Sequence, residues 1–412
     1  MSDSLLDSSL LDFTCLACGF HRAMPLFTGT QKPLATLGWP QSPEQSIEMP
    51  HYPLDFIRCL RCGHIYNYSF EYQNVPYVKN PNLMYNQSTL WQKHQHDLSR
   101  RLIGILSQTA TVIEIGCGTG GFLRSMAEFL PNARFIGFDP NNDNIFEDHN
   151  IKLIPELFIP SRDLQKYQPD LILSRHVLEH LMNPLAFLQE LAVYSSYHQL
   201  SPKLFFEVPC VDRLLKYGRL EDLYYEHNSH FTSHSFEALL KNLPCQIEFI
   251  EHGYNQEVIF GLIQLQVMPL LNDLLIQTDR FRKQIQSSSQ TIPAQIASLL
   301  ASGQTLCLWG GTGKGAAFVH HFNLNSDQIP LRVVDSDLSK VGTYVPGTRY
   351  FISSPKSLLE DPVDIIIIPA QWRAQDIVVE IKSSQIAYKT LFIEHQGQLI
   401  DFFKDIHPYQ MT

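Results

Sequence analysis

The chain has 412 residues, about three times the 150 residues of a typical domain, so we expect two or three separate cores. Hydrophobic residues make up 44% of the chain, which argues against a disordered or fibrous protein. The formal charge of -10 argues against a basic surface for nucleic acid or anionic lipid. The apolar runs fall short of the roughly 20 residues of a membrane span, and the N-terminus lacks a secretory n-region, so we expect a cytoplasmic protein without a membrane partner.

Four of the eight cysteines form two CxxC pairs, Cys15 with Cys18 in CLACG and Cys59 with Cys62 in CLRCG. Zinc prefers tetrahedral thiolates, and a two-residue gap followed by glycine lets both sulfurs of a pair reach one ion. Four protein ligands leave no open position, so the pattern predicts a structural zinc ion. The proline-containing segment between the pairs is predicted to be an extended arm. The alternative is two unrelated thiol pairs or a redox motif.

The next block has the pattern of a nucleotide-binding sheet. Apolar residues at helical spacing from Asn86 predict a connecting helix, and TVIEIGCGTGGFLRSMAEFL then predicts a strand, a glycine turn and a helix. Gly116, Gly118 and Gly121 fit GxGxxG, and Asp139 follows Gly116 by 23 residues, near the spacing of a ribose-binding carboxylate. This much suits NAD equally well, and the alternative is a turn that serves strand-helix packing alone.

Polar side chains follow the next two predicted strands. DLILSRHVLEHL places His176 and His180 in a turn after one strand, and KLFFEVPC precedes the cluster Tyr224–His227. Ligands of open α/β sheets bind at the carboxyl ends of the strands. A phenol, a carboxylate and an imidazole side by side can abstract a proton, orient the base and donate to an oxyanion. The alternative is a surface turn with satisfied polar groups.

A second nucleotide-type unit is predicted after the polar run QSSSQT from Gln286, which favours a domain boundary. TLCLWG, GGTGKGAA and LRVVDSD repeat the strand, glycine turn and acid-terminated strand, ending in Asp335. The turn is not a Walker A loop, because Gly315 follows Lys314. Its amides and Lys314 can hold a phosphate. The alternative is a fold used only as scaffold.

Glu114 lies two residues before the first glycine, and together with GCGTG it resembles the class I S-adenosylmethionine methyltransferases. In that family an acid and a glycine turn hold the methionine end of the cofactor, and a carboxylate after the second strand takes the ribose. The resemblance implies one set of cofactor-binding residues: Glu114, Gly116, Gly118, Gly120 and Asp139.

The order of the motifs resembles the sugar C-methyltransferases that act on nucleotide-bound 4-keto deoxysugars. The resemblance rests on CLACG, CLRCGH, EIGCGTGG, RHVLEH, FFEVP, YYEHNSHFT, LWGGTGKGAA, VVDSDLSKVGTYVPGT and IIIIPAQW. It implies an α/β chain with a small zinc-binding N-terminal domain, a central class I methyltransferase Rossmann-like domain and a second Rossmann-like domain. The expected divisions are a flexible tail (1–12), a zinc-binding domain (13–75), a methyltransferase domain with a leading helix (76–268), a helical linker (269–300) and a C-terminal substrate domain (301–412).

The resemblance also implies a site. It assigns four residues to the catalytic pocket, namely His180, Tyr224, Glu226 and His227, and it adds Tyr85 as a pocket residue and Lys314 on the substrate side. We expect His227, supported by Glu226, to remove the proton from a carbon next to a ketone. Tyr224 or His180 would stabilise the enolate oxygen, and the carbanion would then take the methyl group of S-adenosylmethionine.

Three other functions are compatible with these patterns. The first is a methyltransferase that acts on oxygen or nitrogen of another small molecule. The second is an RNA methyltransferase, and the third is a non-catalytic interaction protein that binds S-adenosylmethionine. The net charge of -10 without a basic stripe argues against RNA.

Overall fold

The computed structural model describes residues 10–77, 88–142, 144–324 and 329–409. The chain divides into two compact units, Met1–Leu271 and Asn272–Thr412. Within the described residues, no helix combines the length and the hydropathy that a membrane crossing requires.

Sheets and helices alternate through most of the chain. The strands are β1 (Ala23–Lys32), β2 (Tyr52–Cys59), β3 (Ile65–Asn67), β4 (Thr111–Ile115), β5 (Arg134–Phe138), β6 (Phe146–Asp148), β7 (Ile151–Ile154), β8 (Leu171–Arg175), β9 (Lys203–Pro209), β10 (Ser229–His230), β11 (Cys245–Gly253), β12 (Val258–Leu265), β13 (Leu306–Trp309), β14 (Leu331–Val334), β15 (Ile352–Ser353), β16 (Ile365–Ile368), β17 (Thr390–His395) and β18 (Gln398–Asp401). The α-helices are α1 (Pro43–Ile47), α2 (Thr89–Ile103), α3 (Gly121–Ala127), α4 (Pro160–Tyr167), α5 (Pro184–Tyr197), α6 (Asp212–Tyr217), α7 (Ser233–Lys241), α8 (Leu271–Ala301), α9 (Lys314–His321), α10 (Ser357–Glu360) and α11 (Ala374–Ser383).

The N-terminal sheet has the strand order β1-β2-β3-β10. The segment between the two cysteine pairs was expected to be an extended arm, and this is wrong, because β1 and β2 pair antiparallel within it. Leu54 and Phe56 alternate along β2 and are buried, so apolar burial outweighs the proline content of the segment. Strand β10 comes from a distant part of the chain.

The central sheet has the order β11-β12-β9-β8-β4-β5-β7-β6. The pairs from β9 through β7 are parallel, whereas β12 and β6 pair antiparallel at the two sides. All five residues of β4 are buried, as expected for a parallel strand covered on both faces. The carboxyl ends of β4, β5, β8 and β9 therefore meet at one edge, where ligands of such sheets bind.

The second unit contains the sheet β15-β14-β13-β16-β17-β18, parallel except for β18. The predicted α/β fold with two nucleotide-type sheets is thus confirmed. The boundary expected at Gln286 is wrong, because this run lies inside α8 and the division falls at Leu271. Most of the run is exposed, so its polarity marks a solvated helix face without a chain break.

Candidate active site

The first part of the site is the glycine turn between β4 and α3. Gly116, Gly118 and Gly120 all have positive φ, and a Cβ on Gly116 would lie 2.3 Å from the Val177 side chain. Glu114, near the end of β4, is 3% exposed, and its Oε2 has no hydrogen-bond partner among the described residues. Burial raises the pKa of Glu114 to about 8. An unpartnered buried carboxyl beside a bare glycine turn fits the cationic ammonium of an amino-acid ligand.

Asp139 follows β5 and links two turns of this edge. One of its oxygens accepts the amide of Gly118 at 2.8 Å, and the other accepts the amide of Asn141 at 2.9 Å. The Asn141 side-chain amide also donates to Oδ1 at 3.1 Å, whereas Oδ2 keeps a second lone-pair site, so Asp139 remains able to accept a ribose hydroxyl. The five residues expected to bind the cofactor therefore come together, and they fit S-adenosylmethionine.

Buried charges surround the turn that follows β8. His176 adopts a left-handed φ of 55°, and its ring lies 3.3 Å from Glu207 of β9 and 3.6 Å from Glu179. Burial opposes the charged form, yet Glu179 and Glu207 outweigh it and raise the pKa of His176 to about 9. The imidazole is therefore a buried cation held between two carboxylates at neutral pH.

Glu207 connects this turn to two further elements. Its carboxylate accepts from Nε2 of His94 on α2 at 2.6 Å and from Nε of Arg175 at 3.1 Å. Burial opposes ionisation, but Arg175, His176 and His94 keep the pKa of Glu207 well below its usual range. Sequence analysis missed both Glu179 and Glu207. For Glu207 the sequence carried a signal, because this charged residue interrupts the otherwise apolar FFEVP strand.

A cavity of about 310 Å³ lies at the same edge. Its walls combine imidazole, carboxyl, phenol and guanidinium groups with a few apolar side chains: Thr36, His176, Glu179, His180, Pro209, Cys210, Val211, Arg219, Asp222, Tyr224, His227, Ser229, His230 and Glu257. Three of the four side chains expected in the catalytic pocket, His180, Tyr224 and His227, are thus brought together.

Tyr224 and His227 form a hydrogen-bonded pair in this cavity. The phenol oxygen lies 3.0 Å from Nε2 of His227, and the His180 ring centroid lies 4.8 Å from that of His227. Burial lowers the pKa of His227 well below its usual value and raises that of Tyr224. At neutral pH the pair is therefore a neutral imidazole beside a protonated phenol, one group able to take a proton and the other able to donate.

Glu226 has a different surrounding from the one expected. Its Oε1 accepts from the amide of Thr36 at 2.6 Å, from the Thr36 hydroxyl at 3.1 Å and from the amide of Leu37 at 3.0 Å. Oε1 therefore ties the N-terminal region to the cavity wall, while the buried Oε2 has no hydrogen-bond partner among the described residues. Glu179 is the nearer candidate for the support of His227, because its carboxylate and one nitrogen each of His180 and His227 all lie within 4.8 Å of one another.

The residues Tyr224–His230, here called the YYEHNSH segment, are held by the N-terminal sheet. In β10, Ser229 pairs with Tyr66 and His230 pairs with Ile65 of β3. The Tyr225 hydroxyl accepts the amide of Glu71 at 2.9 Å. The N-terminal region thus sets the position of the side chains that face the cavity.

Tyr77 is a further polar group at this site that sequence analysis missed. Its hydroxyl donates to the Glu226 carbonyl at 2.5 Å and lies 3.1 Å from Nδ1 of His180. Nδ1 of His180 is also 2.9 Å from the same carbonyl, so the ring is held with its Nε2 edge turned away from these partners. Tyr85, expected in the pocket, lies outside the described residues.

The four paired cysteines converge in the N-terminal region. Sγ of Cys15 lies 3.6 Å from that of Cys62, and Sγ of Cys18 lies 3.7 Å from that of Cys59. A tetrahedral ion with Zn–S bonds of about 2.3 Å requires sulfurs about 3.8 Å apart. The backbone amides of Ala17 and Arg61 donate hydrogen bonds to the sulfurs of Cys15 and Cys59. The sulfur set therefore fits zinc.

The glycine turn of the second unit repeats the first one. The amide of Gly311 donates to Asp335 at 2.9 Å, as Gly118 does to Asp139 in the first unit. A Cβ on Gly315 would lie 1.8 Å from the Gly310 carbonyl oxygen, so this turn closes too tightly for any other residue. Lys314 begins α9, and its Nζ lies 5.9 Å from the Trp372 ring centroid.

Comparisons with known proteins cover both units. A family model for a methyltransferase domain matches residues 88–248, and a model for a C-methyltransferase C-terminal domain matches residues 273–395. C-methyltransferase NovU of Streptomyces niveus is 25% identical over 381 residues, which cover 85% of this chain and 86% of that protein.

Two solved structures are also similar to part of the chain. One, from the complex between the Haloferax volcanii Trm112 methyltransferase activator and a methyltransferase, is 10% identical, covers 43% of this chain and 92% of its own, and has a TM-score of 0.33. The other, the plantazolicin methyltransferase BpumL with SAH, is 17% identical, covers 43% of this chain and 84% of its own, and has a TM-score of 0.32.

Proposed function

The chain belongs to the S-adenosylmethionine-dependent C-methyltransferases, which join a methyltransferase domain to a C-methyltransferase C-terminal domain, and on that premise we propose that it methylates a carbon next to the ketone of a nucleotide-linked sugar. The observation that carries this proposal is the pairing of neutral His227 with protonated Tyr224 in the cavity at the sheet edge. A carbon nucleophile has to be made before a methyl group is transferred to it, and this pair has the groups to make one.

Bound S-adenosylmethionine supplies an electrophilic methyl group. Glu114 takes the ammonium of its methionine end, because the orphaned Oε2 needs a cationic or donor partner. Asp139 takes the ribose, and the glycines of the turn let the ligand approach the backbone.

The imidazole of His227 removes the proton from the carbon next to the ketone. Its lowered pKa keeps the ring in the neutral form that a base requires, but burial also makes the resulting imidazolium costly. Glu179 offsets that cost, since its buried carboxylate lies within 4.8 Å of the ring. Tyr224 keeps its proton and donates a hydrogen bond from its hydroxyl to the enolate oxygen, and His180 lines the same wall.

The remaining groups position the substrate and the YYEHNSH segment. Lys314 would pair with the diphosphate of a nucleotide sugar, and Tyr85, outside the described residues, stays a proposed substrate-binding residue. Zinc on Cys15, Cys18, Cys59 and Cys62 would have a structural role, because four thiolates close its coordination. Strand β3 follows the second cysteine pair by only a few residues and holds β10, so folding of this region supports the position of His227.

The test is NMR of the product formed from 13C-methyl S-adenosylmethionine and a panel of 4-keto nucleotide sugars. We expect an upfield aliphatic methyl signal on a sugar carbon, and we expect it to be absent with the His227→Ala variant. A methoxy or N-methyl shift would replace the enolate mechanism by heteroatom transfer. No transfer to any of these sugars would contradict the proposed substrate class.

A further inference from the structure

A second group of metal-ligating side chains lies where β9 ends. Cys210 follows this strand, Asp212 begins α6, and His252 lies near the end of β11. Their Sγ, carboxylate oxygen and imidazole nitrogen all lie within 4.8 Å of one another. Three residue types from three elements therefore direct donor atoms to one point.

A serine hydroxyl completes the cluster. Oγ of Ser233, the first residue of α7, lies 2.8 Å from Nε2 of His252 and donates to the Asp212 carboxylate. The amide of Ser233 donates to the other Asp212 oxygen at 3.1 Å, and Nε2 of His252 lies 3.8 Å from Asp212 Oδ2. These contacts hold the imidazole and the carboxylate side by side.

The donor set selects the kind of ion. Thiolate, imidazole and carboxylate are the usual ligands of zinc, whereas Mg²⁺ and Ca²⁺ prefer oxygen alone. The thiolate and the carboxylate together carry two negative charges, which match one divalent cation. Cys210 is 2% exposed, but the side chains of Asp212 and His252 are 45% and 37% exposed, so the cluster is open to solvent on their side.

We propose that Cys210, Asp212 and His252 form a second zinc site, distinct from the four-cysteine cluster. On binding, the Cys210 thiol loses its proton to solvent, a Zn–S bond forms, and Nε2 of His252 exchanges its contact with Ser233 for the ion. Three protein ligands leave the fourth position to water or to the Ser233 hydroxyl. The ion cross-links the end of β9, the start of α6 and the end of β11 beside the YYEHNSH segment.

Metal content of the full-length protein tests the site. After incubation with excess zinc and gel filtration, we expect two zinc ions per chain in the parent protein. His252→Ala and Cys210→Ser are expected to retain one, and His234→Ala, an exposed histidine of α7, is expected to retain two. Because Cys210 is buried and its variant is at risk of misfolding, the exposed His252 carries the decisive measurement.

Cobalt gives an independent readout on protein that carries one zinc ion per chain, held by the four-cysteine cluster. One added equivalent of Co²⁺ is expected to produce a thiolate-to-metal absorption band, and Cys210→Ser is expected to abolish it while the four-cysteine cluster keeps its zinc. One zinc per chain in the parent protein, or two in His252→Ala, would overturn the proposal. A cobalt band that survives Cys210→Ser would overturn the assignment of the thiolate ligand.

Discussion

The phenol oxygen of Tyr224 lies 3.0 Å from Nε2 of His227, and the two side chains share one wall of the cavity. If His227 is the base, His227→Ala should lower turnover by about 10²–10⁴ and leave the affinity for S-adenosylhomocysteine unchanged. Turnover by product NMR and affinity by calorimetry measure the two effects. His234→Ala serves as the control histidine, and near-parent turnover of His227→Ala would remove it from the base role.

Glu226 and Glu179 are expected to respond differently to the same substitution. Glu226→Gln weakens an anchor to Thr36 and Leu37, so it should lower the free energy of unfolding by about 1–3 kcal/mol. Glu179→Gln should lower kcat, because it removes the charge that offsets the His227 imidazolium, and it should also lower the free energy of unfolding, because Glu179 helps to hold the His176 cation. Denaturant unfolding and kcat are measured on both variants. A large loss of kcat in Glu226→Gln at unchanged stability would return the supporting role to Glu226.

The His176 cation predicts a pH dependence of stability. Its pKa rises from 6.5 to about 9 on folding, so its contribution is complete below pH 6.5 and is lost as the pH rises through 9. At 1.36 kcal/mol per pKa unit the contribution is about 3 kcal/mol. His176→Asn suits the left-handed φ of 55° and removes the titrating group. The stability difference between the parent and this variant should therefore shrink between pH 6.5 and pH 9.5, whereas a constant difference would show that His176 is uncharged.

Glu114 predicts proton release when the cofactor binds. Burial keeps this carboxyl largely protonated at pH 7, with a pKa of about 8, and the ammonium of the ligand favours its charged form. Relative to Glu114→Gln, the parent protein should release up to one proton per bound ligand at pH 7, and its affinity should rise between pH 6 and pH 8. Calorimetry in buffers of different ionisation enthalpy measures the proton. Equal proton release by the two proteins would contradict the assignment.

Removal of the N-terminal metal should affect both stability and activity. Cys62→Ser leaves three thiolates at the cluster, so we expect loss of one zinc ion and loosening of the β3–β10 pairing that holds the YYEHNSH segment. Hydrogen exchange of the β10 amides and kcat are measured together. Cys245→Ser, a cysteine outside both clusters, is the control. Full activity without this zinc ion would separate the cluster from the reaction site.

Motifs whose structure depends only on residues close together in the chain could be predicted from the sequence. The turn at Gly116–Gly120 and the two CxxC knuckles depend on local backbone geometry, so their spacing alone indicates the structure. The polar run at Gln286 was misread because its composition does not specify a local backbone geometry. Polarity predicts exposure, and an exposed helix face and a linker share that property.

The direction of each side chain in the YYEHNSH segment could not be predicted in this way. Glu226 and His227 are adjacent in sequence, yet one contacts Thr36, about 190 residues earlier in the chain, and the other faces the cavity. The sequence by itself determined which chemical groups the chain carries and where its strands and turns form. Only the tertiary structure decided which carboxylate accompanies His227, because pairing of β10 with β3 sets which side chains turn inward and which turn away.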